Sequence, residues 1–194
     1  MSISWPATGR YDLDCAPGGL GLVQDLLNTI SAGVPQQPDL LADVESARTW
    51  VYDVTARWSA ATGQPIPEVA LDGDELQELR AFRDTVHRVT AAPADGSGPA
   101  VPHTAAAALR LGADGTVRLE PRGTGWRLLA SLVLAALFEA EQTDIRRRLK
   151  TCHNPRCRVA FYDRSRNNSG VWHSLRVCGN AANLRAHRAR RRSR

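Results

Sequence analysis

Three of the four cysteines and two histidines lie in a short segment near the end of this chain, and this feature constrains its folding most. Cys152 and Cys157 form one pair with four residues between them, and His173 and Cys178 form a second pair with the same spacing. Two close ligand pairs separated by about 12 to 20 residues are typical of structural zinc sites. Because a zinc ion with four protein ligands has no open position for a catalytic water, the sequence predicts one structural Zn²⁺ ion.

Two other side chains could compete for this ion. His153 adjoins Cys152 and is the alternative histidine ligand, although neighbouring residues rarely direct both side chains at one ion. Cys15 is far from the cluster along the chain, and we expect it to be a free thiol without a role. The segment around the cluster has few aliphatic residues. We therefore expect it to fold only with the free energy of zinc binding, about 10 to 16 kcal/mol.

The charge of the chain is unevenly divided. The formal net charge is +5, yet residues 145–194 hold fourteen arginines, one lysine and a single acidic residue, Asp163. Residues 1–144 hold ten arginines and nineteen acidic residues. A short basic module beside an acidic body indicates a polyanionic partner such as nucleic acid.

Length and composition exclude several classes of protein. With 194 residues, of which 43% are apolar, the chain can bury a hydrophobic core without disulfides. Four cysteines are too few for a disulfide scaffold, and we recognise neither a signal peptide nor an apolar stretch of about 18 residues. We therefore expect a reduced, cytoplasmic protein that has no membrane partner. With nucleic acid as the expected partner of the basic segment, the expected localisation is nucleoid-associated.

Apolar residues at three- and four-residue spacing predict four helices before the cysteine cluster. The first covers residues 22–30, and the second begins with Asp39 as its N-terminal cap. The third begins at about Asp72 or Asp74. The fourth, which is the most apolar, begins at about Thr124.

Two further patterns complete the predicted fold. Asp114-Gly115 between alternating apolar residues predicts a β-hairpin, and residues 1–19 predict an irregular arm with at most a short strand at 11–15. The fold class is a mainly α N-terminal domain with a small β-hairpin, residues 1–148. A small C-terminal zinc finger follows at residues 149–194.

We expect the zinc finger to consist of a knuckle at residues 152–157, a short hairpin and a helix. The hairpin should run through residues 159–162 and around Trp172, and the helix should be anchored by Cys178 and capped by Asn180. Arginines of the hairpin and the helix are candidate contacts to nucleic acid: Arg164, Arg166, Arg176, Arg185, Arg188, Arg190, Arg191 and Arg192.

The N-terminal domain contains no recognisable nucleophile elbow, phosphate-binding glycine loop or paired metal-binding motif, so we do not expect an enzyme. Four polar residues lie on its otherwise apolar helices: Asp25, Asn28, Thr29 and Arg80. They either converge on a buried ion pair or line a pocket for a small-molecule effector.

Several short sequences resemble known families. Residues 161–167, Trp172-His173 and Cys178-Gly179-Asn180 resemble the CGNR zinc finger, named for its Cys-Gly-Asn-Arg motif. Residues 25–29 and 79–82 are similar to the ABATE domain that usually precedes this finger. The resemblance implies a zinc-dependent, DNA-binding, stress-induced transcription regulator. Its helical domain would bind a small-molecule effector or form a homodimer.

The chain departs from the family pattern at three positions. His173 stands where the family has a cysteine, which still gives a Cys₃His zinc site. Ala181 and Asn183 stand where the family has arginine and lysine, so two of the contacts that the family implies are absent.

The residues leave three other functions open. The basic finger could bind RNA or a ribosomal partner in place of double-stranded DNA, or it could be a protein-interaction module with an incidental arginine-rich tail. The N-terminal domain could also hold an enzyme active site that the finger only localises.

Overall fold

The computed structural model describes residues 5–92 and 103–180, together with Leu184 and Arg191. Its helices are α1 (Leu20–Asn28), α2 (Val44–Thr62), α3 (Gly73–Ala91) and α4 (Gly125–Gln142). Its strands are β1 (Ala107–Leu111), β2 (Val117–Pro121), β3 (Leu149–Thr151) and β4 (Ala160–Tyr162). Short helical turns lie at Thr8–Tyr11, Arg146–Arg148 and Leu175–Gly179. The predicted fold class, mainly helical with a small hairpin and then a small C-terminal cysteine–histidine unit, is confirmed.

Helix α1 is the centre of the fold, because all nine of its residues are buried. It contacts the other three helices and also strand β4. Leu22 and Leu26 of α1 share one hydrophobic core with Phe82 of α3. At Gly21 a Cβ atom would lie 2.7 Å from the ring of Trp5, so only glycine lets the N-terminal arm approach the helix this closely.

The arm before α1 is irregular, as the sequence predicts, with one short helical turn at Thr8–Tyr11 and no strand at residues 11–15. Asp25 of α1 holds this turn, since its carboxylate accepts hydrogen bonds from the N–H groups of Ala7 and Thr8 at 3.0 and 2.7 Å. The indole N–H of Trp50 donates to the same carboxylate at 2.9 Å. These bonds anchor the N-terminal arm to α1 and satisfy the backbone N–H groups of Ala7 and Thr8.

Helix α2 begins four residues later than predicted. Its N-terminal cap is Asp43, whose carboxylate accepts from the N–H of Ser46 at 2.8 Å. The predicted cap, Asp39, instead accepts from the N–H of Leu41 at 2.8 Å and forms an ion pair with Arg83 at 2.7 Å. Asp39 therefore closes a turn before the helix.

The start of α3 and the first hairpin follow the sequence prediction. Asp72 caps α3 by accepting from the N–H of Glu75 at 2.8 Å. Strands β1 and β2 are antiparallel, with Leu109 opposite Leu119, and Gly115 in their turn has a φ of 77°. Among the described residues, no helix is both long and apolar enough to cross a membrane.

The hairpin of the C-terminal unit differs from the prediction. Strand β4 pairs with β3, Leu149 lying opposite Tyr162, and not with the segment around Trp172. The reason is that the knuckle itself is the hairpin loop, closed by a hydrogen bond of 2.8 Å from the N–H of Cys152 to the carbonyl of Val159. The Trp172 segment lies alongside through a bond of 2.9 Å from the N–H of His153 to the carbonyl of Val171.

Candidate metal centre

Four side chains meet at one point in the C-terminal unit, namely Cys152, Cys157, His173 and Cys178. Their ligand atoms all lie within 4.8 Å of one another. The Nδ1 atom of His173 is 3.2 Å from Sγ of Cys157 and 3.7 Å from Sγ of Cys178. A tetrahedral zinc ion with Zn–S of about 2.3 Å and Zn–N of about 2.0 Å separates its ligand atoms by about 3.5 to 3.8 Å. The cluster therefore fits a zinc ion, and the predicted ligand set is confirmed.

Local backbone geometry brings these ligands together. In the knuckle, the N–H of Cys157 donates to the carbonyl of Asn154 at 2.8 Å, which closes a tight turn. Cys178 lies in the helical turn Leu175–Gly179, whose cap is the hydroxyl of Ser174. The predicted cap, Asn180, lies at the other end of this turn, because the helix begins before Cys178 and not after it.

The three thiols of the cluster favour a bound cation. The interaction between the neighbouring Cys152 and Cys157 thiols lowers the pKa of Cys152 and raises the pKa of Cys157. Burial raises the pKa of Cys178. Three thiols at one point cannot all ionise without a compensating positive charge, and Zn²⁺ supplies that charge.

The alternative ligand His153 and the fourth cysteine, Cys15, lie outside the site. His153 is exposed, and its ring packs edge-on against Trp172 at 6.1 Å between centroids. Cys15 is half-buried, and desolvation raises its pKa to about 11, so it is a poorly reactive thiol.

Asn154 is a site residue that the sequence analysis did not identify. It is buried, and its Nδ2 donates to Sγ of Cys178 at 3.3 Å, so it would lie in the outer shell of a metal bound by the cluster. Its position inside the knuckle, between the first two ligands, is the signal that could have identified it.

Sequence profiles of two families match the chain. The CGNR zinc finger profile matches residues 148–191, which include all four ligands. The ABATE profile, described as "Putative stress-induced transcription regulator", matches residues 20–141, more than half of the chain. The chain belongs to the ABATE family. No curated protein matches it. With the CGNR match, the ABATE assignment indicates a regulator that carries a zinc site, and neither description names a catalytic activity.

Four of the eight candidate arginines lie in the described part of the chain, and four lie outside it. Arg164, Arg166, Arg176 and Arg191 are exposed. Arg164 is partly engaged, since its Nη2 donates to the carbonyl of Cys15 at 2.8 Å and its Nε lies 3.4 Å from the carboxylate of Asp14. The other four lie outside the described residues, namely Arg185, Arg188, Arg190 and Arg192. The substituted motif positions Ala181 and Asn183 lie outside them as well.

The four polar side chains of the ABATE domain all form hydrogen bonds within the protein. Asp25 binds the N-terminal arm, as described above. Asn28 binds Ala160 of β4 with both ends of its amide, at 2.9 Å each. Thr29 accepts a hydrogen bond from Arg83 at 3.2 Å. Arg80 donates to the carbonyls of Leu41 and Ala42.

The single acidic residue after position 144 is neutralised inside the fold. Asp163 is 4% exposed, and its carboxylate accepts from Nζ of Lys150 at 2.7 Å. The N–H groups of Gly170 and Ser165 donate to it at 2.7 and 2.9 Å. Together these donors hold the pKa of Asp163 well below its usual range, although desolvation opposes them. The single acidic residue of this segment is therefore not available to pair with the exposed arginines Arg164, Arg166 and Arg176.

Proposed function

We propose that this protein is a zinc-dependent transcription regulator that binds double-stranded DNA with the arginine-rich surface of its finger. The observation that supports the proposal most is the internal neutralisation of Asp163, the only acidic side chain in residues 145–194. Nothing acidic in that segment competes with a phosphate for the exposed guanidinium groups. Zinc would fix the geometry of these groups, since the ligands His173 and Cys178 adjoin the segment that carries Arg176.

Arg166 and Arg176 are the best described candidates for phosphate contacts. Both side chains are exposed, and within the described part of the chain neither takes part in an ion pair. Guanidinium groups in this state release counterions from DNA when they bind phosphates, which makes affinity fall as salt rises. Contacts of this kind give affinity without base selectivity.

Salt-dependent DNA binding tests the proposal. Fluorescence anisotropy of a labelled mixed-sequence duplex should show that the logarithm of the association constant falls linearly with the logarithm of the salt concentration. The slope should be near −4.5, for roughly five phosphate contacts. The double variant Arg166→Gln/Arg176→Gln should flatten this slope by about 1.8. The control removes two exposed arginines from the ABATE domain, Arg57→Gln/Arg88→Gln, and should leave the slope unchanged.

Three results would contradict the proposal. A wild-type slope weaker than about −2 would show that the arginines are not the binding surface. Equal effects of the two double variants would show only a change of net charge. Stronger binding of structured RNA than of duplex DNA at one salt concentration would favour the RNA alternative.

The ABATE domain would sense an effector or form a homodimer. A cavity of about 370 Å³ between the arm and the finger, lined in part by Tyr11, His173 and Arg176, favours the effector. A small molecule there would contact both parts of the protein. Native mass spectrometry of the zinc-loaded chain tests both roles: a mass of two chains supports the dimer, and an added small mass that is lost on denaturation supports the effector.

A further inference from the structure

The ABATE domain holds the backbone of the finger directly after the second zinc ligand. The N–H of Gly33 donates to the carbonyl of Cys157 at 2.8 Å. His87 Nε2 is 2.9 Å from the carbonyl of Arg158, and since a carbonyl only accepts, the imidazole N–H donates. The amide of Asn28 then pairs with both the N–H and the carbonyl of Ala160.

From this arrangement we infer that the zinc site has an outer shell supplied by the ABATE domain, in which Asn28 is a positioning residue for Cys157. Asn28 is fully buried on α1, and it pairs with β4 as a neighbouring strand would. It therefore fixes where β4 begins, three residues after the ligand. The metal centre is then a property of both parts of the chain.

The backbone between Cys157 and Ala160 needs such support. Arg158 has a φ of 61°, in the left-handed region that a residue with a Cβ adopts only when its surroundings impose it. The bonds from Gly33 and His87 lie on either side of its φ torsion, at the carbonyls of Cys157 and Arg158. They hold the turn that points the Cys157 sulfur at the metal.

Side chains of the ABATE domain and of the N-terminal arm also enclose the ligands. Ile30 and Ala32 belong to the same buried hydrophobic cluster as Cys152, Cys157 and Cys178. The ring of Tyr11 stands edge-on to the imidazole of His173, with 6.4 Å between centroids and 67° between the planes. An apolar enclosure of this kind limits the access of water and of competing ligands to a metal site.

A matched pair of variants in the full-length protein tests this inference. Asn28→Ala removes the amide that binds the finger, and Gln24→Ala removes a buried amide one turn earlier on α1. Gln24 accepts from the N–H of Ala16 at 2.6 Å, so it binds the arm and not the finger. Zinc dissociation constants come from competition with a chromophoric chelator, and far-UV circular dichroism verifies folding.

We expect Asn28→Ala to raise the zinc dissociation constant roughly 10- to 100-fold, as outer-shell changes do, and Gln24→Ala to change it less than 3-fold. The absorption of the Co²⁺-substituted protein should shift in Asn28→Ala only, because its thiolate geometry changes. Equal weakening by both variants would show a general loss of stability and would overturn the inference. So would an unchanged constant in Asn28→Ala.

A second measurement needs no variant. Binding linkage is reciprocal, so if Gly33 supports the zinc site, zinc must protect the Gly33 amide. Removal of zinc by a chelator should speed hydrogen exchange in a peptide that covers residues 29–34 and should leave a peptide from α2 unchanged. Unchanged exchange in residues 29–34 would overturn the inference, even if Asn28→Ala fails to fold.

Discussion

Replacement of Asp163 by asparagine tests whether the buried carboxylate organises the finger. The carboxylate accepts three charge-assisted hydrogen bonds, two at Oδ2 from Lys150 and Gly170 and one at Oδ1 from Ser165. An asparagine has one acceptor oxygen, so in its best orientation its NH₂ group faces the N–H of Ser165. A bond to a charged group contributes about 1.5 to 3 kcal/mol, so losing the Ser165 bond costs an amount in this range. The two retained bonds weaken because their acceptor is now neutral, although the Lys150 ammonium keeps its charge. We therefore expect Asp163→Asn to lower the free energy of unfolding by about 3 kcal/mol.

Urea unfolding of the zinc-saturated protein, followed by far-UV circular dichroism, measures this loss as a lower midpoint at unchanged slope. The control is Asp144→Asn, which removes an exposed carboxylate that pairs with Arg147 in the same region. Exposed ion pairs contribute little, so this variant should unfold like the wild type. Gly170→Ala should resemble Asp163→Asn, since its Cβ would lie 2.9 Å from Cγ of Asp163. Equal midpoints for Asp163→Asn and Asp144→Asn would show that the buried carboxylate does not organise the finger.

Two further predictions concern histidines. His173→Ala should weaken zinc binding more than roughly 100-fold, the upper end of the effect of outer-shell changes, while His153→Ala should retain one tightly bound zinc. Metal analysis and chelator competition measure both. Tight binding in both variants would contradict the ligand assignment. Burial lowers the pKa of His87, so the unfolded chain takes up a proton below about pH 6.5 while the folded chain stays neutral there. The stability that neutral His87 confers is thus present above about pH 6.5 and is lost as the pH falls through that value toward the lowered pKa. Urea unfolding in excess zinc should show that the free energy of unfolding depends less on pH in His87→Gln than in the wild type. The same pH dependence in both proteins would contradict the assignment.

The zinc ligands could be predicted from the sequence because each ligand pair is a local structure. Cys152 and Cys157 share one tight turn, and His173 and Cys178 flank the start of one helix. The four helices and the first hairpin have signals of the same local kind, in apolar periodicity and in Asp114-Gly115. Such signals need only a few neighbouring residues to act.

The pairing of β4 could not be predicted in this way. A strand of three residues carries no alternation that distinguishes one partner from another, and both candidate partners lie within 15 residues of it. The deciding feature is geometric: the same turn that gathers Cys152 and Cys157 also reverses the chain, so the segment before the knuckle returns beside the segment after it. A metal-binding turn and a hairpin loop are then one structure.

The polar residues of α1 show why a sequence cannot distinguish a ligand pocket from internal support. Asp25, Gln24 and Asn28 are all polar, all fully buried, and each binds the backbone of a segment outside the helix. Buried backbone groups must find partners, and an irregular arm and a three-residue strand leave many of theirs unpaired by regular structure. Polar side chains on a central helix can supply those partners, and the same side chains on the same face would be needed to bind a polar ligand. Asn28 and Ala160 are 132 residues apart in the sequence, so no local pattern indicates that they pair. The partner of the amide is in place only once the finger has folded against α1.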